Sequence, residues 1–421
     1  MLQLRSGNRH NVIEFPEKAE VVILKAEGLP ALTNLATEIE TVFNIPVGHA
    51  SDEDAFVSSP VHGQVVIAIT DALLHENLEV ILPSVLAHLY QKNEALKPSA
   101  VTIVFDEGIK RSPQASGFKK LFQTVNASGC RVIVHDPILQ PMVDRGVTSR
   151  GTPVWVNSEL ANADLKIVID QIKPSPLFGF MESPLRMARC CMSIDSIESL
   201  EAMVQSAAGE GLRLNRHSVF EEIQEITRMI GIDGSLAGIS NPAGETIRVM
   251  AGEPSMIIRQ AAVLYRRHYG ILVSKPFDIA VISFGPNRPK RLFDSVQDGL
   301  LMATHLLKEG GQTLIMGDDT QGVGTDIFFD YICHFLSPSE LTKGFIRSLN
   351  PLETSDLGQL NRQSTSADGS LEKIFGMEAL RRCQFRAADP SAVLAEWADE
   401  YENPPRIAVI PEGYGIFCYP D

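Results

Sequence analysis

Cysteine is scarce in this chain, long apolar runs are missing, and positive charge is nowhere clustered. The six cysteines, Cys130, Cys190, Cys191, Cys333, Cys383 and Cys418, are scattered among 421 residues without a CxxC pair. That pattern argues against a zinc site, and a few dispersed thiols suit a reducing cytoplasm, where they serve as buried small hydrophobes. No stretch approaches the ~18 apolar residues of a membrane helix, and Met1–Lys18 lacks an apolar core, so neither a membrane span nor secretion is expected. Arg266-Arg267-His268 and Arg288–Arg291 are short runs, and 52 acidic against 37 basic residues leave a formal charge of −15. Nucleic acid and anionic lipid require clustered Lys and Arg, so neither is expected as a partner. His217, His268, His305 and His334 share no metal-ligand spacing.

What is present is an ordinary globular composition, 44% apolar and 21% charged, in a chain long enough for two domains. Glu20–Lys25, Val65–Ile69, Val101–Phe105 and Arg131–Val134 read as strands. Leu32–Phe43, Leu78–Tyr90 and Phe118–Val125 read as helices between them, with Pro83 uncomfortable inside the second. This alternation predicts a mostly parallel sheet. Ser196–Ala208, Val219–Ile230 and Met256–Tyr269 also read as helices, and Ser235–Ser240 with Glu245–Ala251 as a hairpin-like pair. A second, smaller unit opens at Lys275-Pro276. It holds a strand Phe277–Phe284, a helix Phe293–Lys308, a strand Thr313–Met316 and the loop Gly317–Gly324. Leu371–Arg382 and Ser391–Tyr401 then read as helices, and Arg406–Ile410 as a closing strand.

The most informative stretch is Arg145–Arg186. Ser149-Arg150-Gly151-Thr152-Pro153 is a turn, since Gly supplies positive φ and Pro excludes helix. Val154, Trp155 and Val156 favour extended structure, and Asn157-Ser158 caps a short helix through Ala163. Asp164–Asp170 reads as a buried strand that ends at Lys173-Pro174-Ser175-Pro176, where two prolines force an irregular loop. A loop leaving the carboxyl end of a strand in an α/β sheet is where ligands sit.

Written out as SRGTPVWVN, LANADLKIVI and IKPSPLFGF, this stretch resembles the signature region of the nickel-dependent lactate racemases. Glu221–Gly252, Gln321-Gly322-Val323-Gly324 and the ending RIAVIPEGYGIF extend the resemblance over nearly the whole chain. It implies two Rossmann-like α/β domains with the active site in a cleft between them. Residues 1–272 form the larger domain, to which a terminal strand within 404–421 returns, and residues 273–403 the smaller one. The resemblance also implies racemisation of a 2-hydroxy acid through a nickel pincer nucleotide. A lysine tethers that cofactor, a histidine ligates nickel, and two histidines exchange the hydroxyl proton.

The matching positions here carry other residues. The tethering lysine falls on Leu185, with Arg186 beside it. One proton-transfer histidine falls on Lys110, next to Arg111, and the other on Ser175. The family's Asp-x-Thr-Arg-Pro motif falls on Asp71–His75, which keeps Asp71 and puts Leu74 in place of arginine. Cys191–Leu214 contains no histidine for nickel, and in the second domain only Pro289-Lys290 and Gln297 remain of the family motif. One general acid or base is worth about 10²- to 10⁴-fold in rate. Arg186 cannot replace the lysine as a nucleophile, because a guanidinium stays protonated. Neither a metal nor a bound cofactor is therefore expected.

The ligand-binding candidates are Asp71, Leu74, Lys110, Arg111, Ser175, Arg186, Lys290 and Gln297. Each competes with a plain structural role: a solvated loop for Lys110-Arg111, a strand-end cap for Asp71. His135-Asp136-Pro137 competes with a turn closed by Asp136. Cys190-Cys191 competes with burial, although Arg186 and Arg189 nearby would lower a thiol pKa. Three functions fit. The first is a family member without pincer racemase activity that binds a small 2-hydroxy-acid-like or other anionic ligand, or serves as a regulatory or partner subunit in a homo- or hetero-oligomer. The second is an active 2-hydroxy-acid racemase or epimerase using the nickel pincer nucleotide. The third is an enzyme of different chemistry, using Lys110, Asp71 and Arg186 on an anionic substrate. The replaced residues favour the first.

Overall fold

The computed structural model describes residues 1–6, 9–26, 28–48, 56, 61, 63–70, 75–106, 125, 128–172, 182–206, 218–241, 245–285, 299, 302–303, 305–316, 364–366, 389–413 and 416–420. In chain order the strands are β1 (Leu2–Ser6), β2 (Arg9–Ile13), β3 (Glu20–Ile23), β4 (Val65–Ile69), β5 (Val101–Asp106), β6 (Arg131–His135), β7 (Met142–Val147), β8 (Pro153–Asn157) and β9 (Leu165–Ile172). They continue as β10 (Gly234–Ser240), β11 (Thr246–Gly252), β12 (Gly270–Val273), β13 (Phe277–Ser283), β14 (Leu307–Met316), β15 (Ser364–Ser366), β16 (Arg406–Ile410) and β17 (Phe417–Pro420). The helices are α1 (Leu35–Asn44), α2 (His75–Lys92), α3 (Ser158–Asn162), α4 (Glu182–Arg189), α5 (Ile194–Ser206), α6 (Ser218–Ile230), α7 (Pro254–His268) and α8 (Pro390–Asp399).

Two sheets carry the architecture. The first has the order β11-β10-β9-β4-β5-β6 and is parallel except at β11. The second has the order β15-β14-β13-β16-β3 and is parallel throughout. All five positions of β4 are buried, the mark of a strand covered on both faces. The period of two still separates those faces. Val65, Ile67, Ile69, Ile103 and Ile169 pack against α1 and α2, while Val66, Ala68, Val104, Val168 and Ile172 join a second cluster. That second cluster runs through Ile258, Ala261 and Tyr265 of α7 to Ala280, Ile282 and Ala408 of the second sheet, so one apolar core links the two sheets. The other face of the second sheet packs on Leu4, Ile13 and Trp397.

Helix starts follow from local chemistry. Asn34 Oδ1 accepts the Thr37 amide at 3.2 Å before α1, and Glu253 accepts the amides of Ser255 and Met256 before α7, which Pro254 opens. Asn157 caps α3 by accepting the Glu159 amide at 2.9 Å, as the sequence leads one to expect. Among the described residues no helix is long and apolar enough to cross a membrane.

Several expectations need correction. Arg406–Ile410, read as a closing strand, runs between β13 and β3 in the second sheet. The first strand, expected over Glu20–Lys25, ends at Ile23 and is that sheet's edge. A buried parallel strand has the same Val/Ile character in either sheet, so pattern alone does not assign it. Strand β14 begins at Leu307, paired with Phe277, where a helix through Lys308 was expected. The β1–β2 hairpin, β7, β12 and β17 were not anticipated, being short or largely polar in sequence. The expected helix at 371–382, residues 118–124 of the one expected at 118–125, the loop 317–324 and most of the helix expected at 293–308 lie outside the described residues.

Candidate functional site

Chain order reverses at β4. From there the chain moves outward through β5 and β6, then returns to lay β9 and β10 on the opposite side. The carboxyl ends of β4 and β9 therefore flank a topological switch point, the place where an open α/β sheet leaves room for a ligand.

Asp170 sits at this point as an acid within an apolar strand. Its parity with Val168 and Ile172 turns it toward the face covered by α4 and α7, where it is fully buried. Thr70, just after β4, donates its hydroxyl to Asp170 Oδ1. Arg186 of α4 brings Nε to 3.3 Å from the same oxygen, and its Nη2 donates to the Gln171 carbonyl at 2.5 Å. Arg186 is 6% exposed, so both charges are held away from water and need this pairing. Gln171 Nε2 donates to Ser240 Oγ on β10. A bulge at Ile239/Ser240 interrupts the β10–β11 ladder, and Tyr265 of α7 fills in there. Its hydroxyl lies 2.6 Å from the Ile172 carbonyl and 2.9 Å from that of Ser240, and accepts the Ser240 amide at 3.3 Å. A buried polar network thus ties together the ends of β4, β9 and β10.

Cys190 and Cys191 follow α4, both buried, with their sulfurs 3.7 Å apart. Burial, weighed against a reactive thiol with a pKa lowered by Arg186 and Arg189, is what the fold gives. The hydrogen bond with Cys191, burial, and the negative charges of Cys191, Asp106 and Asp170 push the Cys190 thiol well above its usual range. For Cys191 the hydrogen bond from Cys190 pulls downward, but burial and Asp106 outweigh it and the pKa is raised. The Arg186 charge is engaged by Asp170.

His135-Asp136-Pro137 is a turn. Asp136 Oδ1 accepts the amides of Ile138 and Leu139 at 2.9 and 3.1 Å. Buried His135 places Nε2 2.9 Å from the Met192 carbonyl and Nδ1 3.2 Å from Asn157 Nδ2. A carbonyl only accepts and an amide nitrogen only donates, so Nε2 donates to Met192, Nδ1 accepts from Asn157, and both nitrogens are used.

Leu185 lies on α4, one residue before Arg186. Asp71, Leu74, Lys110, Arg111, Ser175, Lys290 and Gln297 lie outside the described residues. Asp71 and Leu74 follow β4, Lys110 and Arg111 follow β5, and Ser175 follows β9, three adjacent strands of the first sheet. Lys290 and Gln297 follow β13 of the second sheet. Thr70, Asp106, Asp170, Gln171, Ser240 and Tyr265 were not singled out in advance. One signal was legible for them, an acid at an inward position of the DLKIVID strand. Among the described residues no three His, Cys, Asp or Glu side chains come together to hold a metal ion.

Residues 6–182 match the lactate racemase N-terminal domain family. No curated protein matches the chain. Of the solved structures, the lactate racemase apoprotein from Thermoanaerobacterium thermosaccharolyticum is similar with a TM-score of 0.80 and 16% identity, over 99% of each chain. A crystal structure of a Thermotoga maritima protein is similar with a TM-score of 0.56 and 14% identity, over 86% of this chain and 94% of that one. At such identities these two likenesses establish the fold.

Proposed function

Residues 6–182 match the lactate racemase N-terminal domain family and the whole chain has the fold of a lactate racemase, and from this we propose that it works without the family's nickel pincer nucleotide and binds a small anionic ligand. The binding site is the carboxyl ends of β9, β4 and β5. The observation that carries this reading is the engagement of Arg186 by Asp170 and by the Gln171 carbonyl. The position matching the tethering lysine is Leu185, which has no amine. Its neighbour Arg186 stays protonated and is committed to a buried ion pair, so it offers no nucleophile. The two thiols behind it are held protonated, whereas metal ligation and nucleophilic attack require thiolate. These residues do not fit a covalently held nucleotide. Lys110 and Arg111, which follow β5 in sequence, supply the positive charge that a carboxylate or phosphate requires.

The test is metal content and intact mass of protein co-expressed with the family's cofactor-synthesis enzymes under nickel supplementation. An unmodified mass without nickel is expected. Stoichiometric nickel with an added mass would overturn the proposal.

A further inference from the structure

We propose that Cys190 and Cys191 form a redox-modifiable vicinal dithiol that closes into a disulfide when the protein meets a hydroperoxide, independently of what the strand ends bind. Their sulfurs are already 3.7 Å apart. Cys191 has φ +63°, the one left-handed backbone among the described non-glycine residues. A residue in that region persists only where its surroundings over-determine it, and here three strands do so. The Cys191 amide donates to Asp106 Oδ2 at the end of β5 at 3.3 Å. Its carbonyl accepts the Asn157 amide from the end of β8 at 2.7 Å, and the next carbonyl, of Met192, faces His135 Nε2 from β6 at 2.9 Å. The turn is therefore built from outside, and it holds two sulfurs in contact.

At rest both thiols are sealed, 1% and 0% exposed, and burial and nearby carboxylates keep them protonated. Oxidation therefore waits for the turn to open. The turn follows directly on α4, which Arg186 ties to Asp170, so the hold on α4 sets the opening. Once open, one thiol gives up its proton and its sulfur attacks the peroxide. The O–O bond breaks, releasing alcohol or water and leaving a sulfenic acid. The second sulfur displaces that hydroxyl as water and the S–S bond forms. In total the protein loses two hydrogens and two electrons, and the hydroperoxide is reduced.

The full-length folded protein is treated with hydrogen peroxide, alkylated after denaturation and mapped by peptide mass. The expected result is a Cys190–Cys191 peptide that loses two hydrogens and both alkylation sites together, with dithiothreitol restoring both. Cys191→Gly suits the left-handed turn and Cys190→Ser is nearly isosteric; each should abolish the two-hydrogen loss. Arg186→Lys should speed the wild-type reaction several-fold by loosening α4. The proposal is overturned if both cysteines stay alkylatable in folded protein at a dose that oxidises the urea-unfolded chain. It is equally overturned if they advance to sulfinic acid without the two-hydrogen loss, or if Arg186→Lys leaves the rate unchanged.

Discussion

Arg186 Nε stands 3.3 Å from Asp170 Oδ1, with the two side chains 7% and 0% exposed. Removing one partner of a buried pair strands the other as an uncompensated charge. Arg186→Met is therefore expected to destabilise by about 3–5 kcal/mol. The double variant Asp170→Leu/Arg186→Met should recover most of that loss, since apolar replacement of a whole buried pair is often neutral. Urea midpoints at unchanged slope would measure both. Additive losses in the double variant would show that the two residues do not act as a pair.

Tyr265→Phe removes one hydroxyl from a buried junction and leaves the Ile172 carbonyl and both backbone groups of Ser240 short of a partner. A cost of about 1–3 kcal/mol is expected. Amide exchange should rise at the ends of β9 and β10, and a uniform rise across the first sheet would contradict a local role.

His88 gives a pH dependence whose sign is fixed. The ring lies against Phe43 with centroids 4.4 Å apart, and Nε2 is 2.8 Å from the Phe56 carbonyl. Burial lowers its pKa below 6.5, the bond to Phe56 offsets this in part, and Lys92 adds to the lowering. As pH falls, the unfolded chain takes up this proton first. The contribution to stability is present above pH 6.5 and is lost as pH falls through the lower folded value. His88→Gln should flatten the change in urea midpoint across that window. An unaltered profile would remove His88 as its source.

The first sheet was legible because buried parallel strands leave unbroken apolar runs, as in Val65–Ile69 and Val101–Phe105. What pattern could not supply was partnership across the chain. Nothing near Arg406 announces that Ile407 lies beside Ile279 on one side and Val21 on the other. The same limit applied to the site. Arg186 was noted as a neighbour of the lysine position, but its partner Asp170 looked like the last residue of a strand. That strand runs two residues further, to Ile172, which makes Asp170 an interior position. Tyr265 was hidden more deeply, 93 residues from the carbonyl it binds.

Lys110→Glu combined with Arg111→Glu should weaken binding of small carboxylates by about tenfold or more, given the strength of charge-assisted hydrogen bonds. Isothermal titration with lactate and related anions is the direct measurement. Unchanged affinity would place the ligand elsewhere, while thermal melting checks that the fold is intact.

The two sheets differ in when they can be completed. Among the described residues, every strand of the first lies between Val65 and Gly252, so these pairings are present before β13 is made. The second needs segments far apart in the chain, because among the described residues β3 pairs only with β16, with Glu20 opposite Arg406. On a ribosome, the earliest strand in that sheet waits as an open apolar edge until Arg406–Ile410 has emerged. Exposed Val21 and Ile23 are then the segment most open to aggregation or to a chaperone, and a truncation before Arg406 would leave that edge bare for good.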